Sequence, residues 1–285
     1  MNSLGWPGLR PVQEAALEPI QSGEDVLVIA PTAGGKTEAA MLPLLSRMLE
    51  ERWSGLGVLY ICPIRALLNN LLPRVQKYMA FGGRRAGLWH GDVGQTARKR
   101  ILADPPELLL TTPESLEAML IGPRIEHESL FGSLRAVVVD ELHAFAGDDR
   151  GWHLLALLER LGRIAGRDLQ RIGLSATVGD SVGLATWYTG AERPPARVIV
   201  PKAVKTSEPE VMLDYVGTTA NAATVIAKLH SGEKRLVFCD SRARVEELAQ
   251  ELRGHGVETF VSHGSLGQDE RRRAEAAFAE ATNCV

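Results

Sequence analysis

Val26-Leu27-Val28-Ile29-Ala30-Pro31-Thr32-Ala33-Gly34-Gly35-Lys36-Thr37 is the stretch whose reading decides the fold. Its first half is apolar at every position, with no polar alternation, as in a strand buried on both faces. Its second half is a loop of small residues. Such a loop lets successive backbone N–H groups converge on an anion at the start of a helix. The pattern predicts a phosphate cradle formed by Thr32, Ala33, Gly34 and Gly35. Lys36 would reach the β- and γ-phosphates, and Thr37 would hold Mg²⁺. The plain alternative is a glycine-rich turn with a solvated lysine. The strand before the loop and the helix after it weigh against that.

Outward from this stretch the rhythm repeats: a short apolar run, a turn, then a longer amphipathic segment. Strands are expected at 26–30, 58–62, 108–110, 136–139, 172–174, 198–200, 211–215, 236–239 and 259–261. Helices are expected at 10–21, 36–51, 65–78, 113–120, 152–164, 220–230, 241–253 and 268–281. Alternation of this kind predicts an α/β fold, a parallel sheet with helices on both faces. The polar, aperiodic stretch 201–209 reads as a linker, giving a first unit over 1–200 and a second over 210–285. The 285 residues carry a formal net charge of −3, so any basic surface must be local. The composition excludes disordered and disulfide-stapled classes, and no apolar run is long enough to span a membrane. Cys62, Cys239 and Cys284 lie far apart, beside apolar runs. They read as reduced thiols of a cytoplasmic protein, and the N-terminal residues do not read as a signal peptide.

A second acidic signal completes the site. Val137-Val138-Val139-Asp140-Glu141-Leu142-His143 is an apolar strand ending in two carboxylates. In this architecture ligands bind at the C-terminal edge of the sheet. Asp140 suits Mg²⁺ and Glu141 suits polarising an attacking water, with Lys36 as their catalytic partner. A helix-start acid pair is the alternative for these two residues taken alone.

Asp-Glu-Leu-His is a DExH box, and on it the chain resembles the superfamily 2 nucleic-acid helicases. Asp-Glu-Leu-His-Ala-Phe, Arg150-Gly151-Trp152-His153-Leu154 and Arg171-Ile172-Gly173-Leu174-Ser175-Ala176-Thr177 are most similar to the large helicase-related (Lhr) group. The resemblance spans about 4–285. It implies two RecA-like P-loop NTPase domains, ATP and Mg²⁺ as ligands, and 3′-to-5′ movement on nucleic acid, with single-stranded DNA favoured over RNA. It makes Gln13 an adenine contact. It makes His143, Ser175 and Thr177 the groups coupling ATP state to domain movement. Pro63-Ile64-Arg65, His90-Gly91-Asp92 and Thr111-Thr112-Pro113-Glu114 match its nucleic-acid motifs. Arg65, His90, Thr111, Pro113 and Glu114 thereby become backbone-contact candidates, joined in the second unit by Ser241, Arg242 and Ser265. His90 reads equally well as an ordinary loop histidine. Ser241 reads as a helix cap whether or not it touches nucleic acid. Arg98-Lys99-Arg100 reads first as a solvated face.

One departure stands out. The family's Gln-x-x-Gly-Arg-x-Gly-Arg segment, which supplies arginine fingers, is not in the sequence, and the second RecA-like domain looks partial. Such arginines are worth about 10³–10⁵ in rate. The expectation is a chain that binds Mg-ATP and hydrolyses it poorly. A truncated form, an incomplete gene product and one half of a split protein with a partner chain all fit. The competing function is a catalytically silent ATP- and nucleic-acid-binding module acting with a partner. A small-molecule kinase would leave the motifs at 63–67, 111–116 and 175–177 unexplained.

Overall fold

A strand that is apolar at every position needs cover on both faces. The structure, a computed structural model describing residues 8–31, 33–201 and 211–285, gives Val26–Ile29 that cover within a seven-stranded sheet. The strands are β1 (Val26–Ile29), β2 (Val58–Ile61), β3 (Ala86–Trp89), β4 (Leu108–Thr111), β5 (Ala136–Val139), β6 (Gln170–Ser175) and β7 (Arg197–Ile199). Their order is β3-β4-β2-β5-β6-β1-β7, and every pairing is parallel. All strands therefore end at one edge, where the loops collect.

Side chains alternate across the strands, so one run feeds two cores. Val26, Val28, Val58, Tyr60, Val138 and Ile172 pack on one face under α1 (Pro11–Gln21), α2 (Lys36–Glu50) and α3 (Arg65–Phe81). Leu27, Ile29, Leu59, Ile61, Val137 and Val139 pack on the other. There they meet α5 (Pro113–Ile121), α7 (Asp149–Ala165) and α8 (Ser181–Thr189). Two further helices, α4 (Gln95–Ala103) and α6 (His127–Phe131), complete the first unit. No helix among the described residues is long and apolar enough to cross a membrane.

The sequence pattern misses β3, α4, α6 and α8. Ala86-Gly87-Leu88-Trp89 is short and contains glycine, a weak strand signal. Helix α4 has no buried residue and carries the Arg98-Lys99-Arg100 run, so no apolar stripe marks it. The strand expected at 172–174 is longer, beginning at the buried polar Gln170.

The chain parts into two compact units, Met1–Lys205 and Thr206–Val285. The linker expectation, apart from Pro201, lies outside the described residues, as does Thr32. The second unit contains α9 (Thr219–Lys228), α10 (Arg242–Gly254) and α11 (Gln268–Glu280). A small core of Ala223, Leu248, Leu252 and Val285 joins α9 and α10 to the end of the chain. Strands expected at 211–215, 236–239 and 259–261 do not form regular ladders among its described residues. A parallel bridge joins Lys234 to Cys284, and Phe260 N–H donates to the Val285 carbonyl at 2.9 Å. Leu213, Tyr215 and Phe238 are exposed. Apolar runs become strands only where neighbours supply both hydrogen bonds and cover.

Candidate functional site

The loop between β1 and α2 depends on two glycines. A Cβ on Gly34 would lie 2.7 Å from the Pro31 carbonyl oxygen. Gly35 caps α2 at φ 92°, and a Cβ there would lie 2.6 Å from Gln13 Nε2. Ala33 shares the left-handed region at φ 61°. Lys36 is the first residue of α2 and is 8% exposed; its Nζ donates to the carbonyls of Ala30 at 2.7 Å and Pro31 at 3.2 Å.

Parallel β1 and β5 deliver this loop and the acidic pair to the same edge. Lys36, Thr37, Asp140 and Glu141 line one cleft of about 1140 Å³. Asp140 is fixed at both oxygens. Tyr60 Oη donates to Oδ2 at 2.6 Å, and Glu141 N–H donates to Oδ1 at 2.9 Å. Tyr60 is fully buried on β2. Burial, then the charge and hydrogen bond of Asp140, push the phenol well above its ordinary 10.0. It therefore stays a neutral donor. Cys62, at the end of the same strand, is pushed up to about 12, mainly by burial. That is an inert thiol.

Glu141 sits at φ 50°, ψ 43°, a conformation costing a non-glycine residue about 1 kcal/mol or more. Its backbone is held at both ends, the carbonyl accepting from Ala144 N–H at 2.8 Å. Next comes His143. Ala176 N–H donates to its Nδ1 at 3.3 Å, and Ser175 Oγ lies 3.2 Å from the same nitrogen. A backbone N–H only donates, so Nδ1 is the acceptor and Nε2 carries the hydrogen. That Nε2 lies 3.5 Å from Glu141 Oε2. The acidic pair and the 175–177 loop are thus brought together through one imidazole. Thr177 is exposed beyond that contact.

Gln13 lines the same cleft. It is 5% exposed, its Oε1 accepts from Arg10 N–H at 2.9 Å, and its Nε2 donates to the Gly35 carbonyl at 3.4 Å. Its amide braces the phosphate loop against α1. Among the residues the sequence reading did not single out are Arg10 and Arg74, which line the cleft, and Tyr60, which is buried behind Asp140. Arg10 donates to the Ala33 carbonyl. Arg74, on α3, donates to Thr37 Oγ1 at 2.9 Å and pairs with Glu38 at 3.3 Å. The one available signal was Tyr60, the sole polar-tipped side chain in the Val58–Ile61 run.

The loops after β2, β3 and β4 lie side by side, since these strands are neighbours. Arg65 is exposed there and pairs with Asp92 at 3.0 Å. His90 is 2% exposed, with Nε2 3.0 Å from Asn69 Oδ1 and Nδ1 accepting from Asp92 N–H at 3.3 Å. Burial lowers its pKa below 6.5 despite the nearby Asp92 charge. Thr111 and Pro113 are buried too, with Thr111 Oγ1 donating to the Trp89 carbonyl at 2.8 Å, so they shape the edge from beneath. Glu114 is exposed but is an anion, paired with Arg150 at 2.7 Å; Arg150 also donates to the Pro63 carbonyl at 3.1 Å, tying two of the loops. In the second unit Arg242 donates to Ser265 Oγ at 2.7 Å, and Ser241 caps α10 by accepting from Arg244 N–H at 3.3 Å.

A profile of the DEAD/DEAH box helicases matches residues 10–184, and one of the helicase conserved C-terminal domain matches 219–285. The chain is 34% identical to an Lhr helicase/probable uracil glycosylase of Mycolicibacterium smegmatis, across 85% of this chain and 17% of that protein. It is 30% identical to the ATP-dependent helicase Lhr-Core of Methanocaldococcus jannaschii, across 93% of this chain and 34% of that protein. The chain therefore spans only 17–34% of these relatives' length. Among solved structures, the Mycobacterium smegmatis helicase Lhr bound to single-stranded DNA and AMP-PNP superposes with a TM-score of 0.78. Its identity is 32%, with 96% of this chain and 38% of that one covered. A DEAD-box helicase bound to single-stranded RNA shares the fold, at 20% identity and a TM-score of 0.80.

Proposed function

Because the chain belongs to the DEAD/DEAH box helicases, and within them to the ATP-dependent Lhr type, we propose that it is the ATP-driven core of a translocase on single-stranded nucleic acid. The observation that carries this is the meeting of Lys36, Thr37, Asp140 and Glu141 around one cleft. Lys36 exchanges its loop carbonyls for the β- and γ-phosphates. Glu141 orients and polarises the attacking water.

The donor set fits Mg²⁺. Thr37 and Asp140 are hard oxygen ligands, and among the described residues no cluster of three or more His, Cys, Asp or Glu exists to cage a softer ion. A cation held by one carboxylate plus substrate phosphates is the Mg²⁺ pattern. When bound, it would neutralise charge developing on the phosphates. Tyr60 keeps Asp140 aimed toward that position.

Arg65 is the phosphate contact of the first unit, and Arg242 and Ser265 those of the second; contacts to the backbone without base readout give a sequence-tolerant track. Similarity to a helicase solved with single-stranded DNA supports DNA over RNA, and the Lhr resemblance supports 3′-to-5′ polarity. His143 passes the state of the Glu141 carboxylate to Ser175 and Thr177. Domain limits of 1–200 and 210–285 are part of the same proposal. So is a cytoplasmic setting, which suits ATP and free cysteines.

The sequence of 285 residues holds no Gly-Arg-x-Gly-Arg segment. This polypeptide alone is therefore proposed to hydrolyse ATP slowly. Added sequence or a second chain supplying such arginines would raise the rate by about 10³ or more. The test is ATP turnover with and without single-stranded DNA or RNA. Slow turnover that nucleic acid stimulates and Glu141→Gln abolishes supports the proposal. Nucleotide binding with no turnover in any condition favours the silent module.

A further inference from the structure

Arg74 brings a cation to the start of α2. It donates to Thr37 Oγ1 at 2.9 Å and lies 3.3 Å from Glu38, both on the first turn of α2. Helix N-termini carry partial positive charge and favour anions. Lys36 already adds a cation to the same turn. Glu38, whose side chain is 9% exposed, offsets only part of this, and it is shared with Tyr78, whose Oη donates to it at 2.8 Å. A second cation gathered there is one that a phosphate would stabilise. The Arg74 side chain is 51% exposed, lines the cleft with Lys36 and Asp140, and springs from a different helix, so it is free to re-aim.

We infer that Arg74 reads the terminal phosphate of a nucleoside triphosphate. This inference rests on the proposed ATP site and deepens it. Tyr60 donates to Asp140, and Arg74 donates to Thr37. Thr37 is the hydroxyl that would hold Mg²⁺ beside the terminal phosphates of a bound triphosphate. A triphosphate engaging Thr37 therefore brings its last phosphoryl oxygens to the guanidinium, whose fork matches them in a way a lysine cannot. A diphosphate leaves Arg74 on Thr37 and Glu38. The residue thus discriminates ATP from ADP within the first unit alone.

The experiment measures equilibrium binding of Mg-AMP-PNP and Mg-ADP to the wild-type chain and to Arg74→Ala, Arg74→Lys and Lys36→Ala. The inference expects Arg74→Ala to weaken AMP-PNP by about tenfold or more while ADP stays within about twofold. Arg74→Lys should recover only part of the loss, and Lys36→Ala should weaken both nucleotides. Unchanged preference in Arg74→Ala overturns the inference. So does parallel weakening of both ligands, which would make Arg74 a prop for α2, and so does tighter binding of both, which would make it a competitor. A wild-type chain that binds neither nucleotide overturns the ATP site itself, a different failure.

Discussion

Single atoms decide the chemistry of the cleft. Lys36, Thr37, Asp140 and Glu141 were legible because each follows a buried strand at a fixed offset, and parallel strands must end at one edge. Tyr60 and Arg74 were not, because their roles come from partners far along the chain: Tyr60 to Asp140 at 2.6 Å, Arg74 to Thr37 at 2.9 Å. Gln13 was read from its place ahead of Lys36, and its amide lies against the loop backbone inside the cleft. The Tyr60 phenol has a testable consequence. Tyr60→Phe keeps the packing and removes the donor to Asp140. Nucleotide binding should then need about tenfold more Mg²⁺ for half-saturation, the scale of one hydrogen bond to a charged group. A Mg²⁺ titration that superposes on the wild type's would show that Asp140 is held without it.

At the scale of elements, the uniformly apolar, fully buried strands were readable and the marginal ones were not. Val58–Ile61 and Ala136–Val139 are apolar throughout, whereas β3, of the same length, contains a glycine and is only partly buried, and α4 has no buried face. In the second unit the apolar runs at 236–239 and 259–261 read as strands, but pairing is a property of neighbours rather than of the run. The loop after β3 carries a pH-dependent contribution. Burial of His90 sets its folded pKa below the ordinary 6.5. The unfolded chain therefore takes up the proton first on acidification. Stability is whole above about pH 6.5 and falls as pH drops from there toward the folded pKa. Urea unfolding of the wild type and His90→Gln between pH 7.5 and 5 should show a shallower acid loss in the variant. Equal slopes would remove His90 from the account.

For the whole molecule, the change from strand–helix alternation to the polar stretch 201–209 suggested two parts, and the chain forms two compact units. Family membership follows from matches running through both units, over 10–184 and 219–285. What a helicase of this type does in full belongs to proteins about three times this length or longer, of which the chain spans 17–34%. The activity of the 285-residue polypeptide is therefore its own question, and the ATP site is where it begins. The most direct test is calorimetric titration of Mg-AMP-PNP into the wild-type chain, Lys36→Ala and Asp140→Ala. Saturable, Mg²⁺-dependent binding to the wild type that both substitutions abolish is the predicted result. Binding that survives both, or that ignores Mg²⁺, would contradict it.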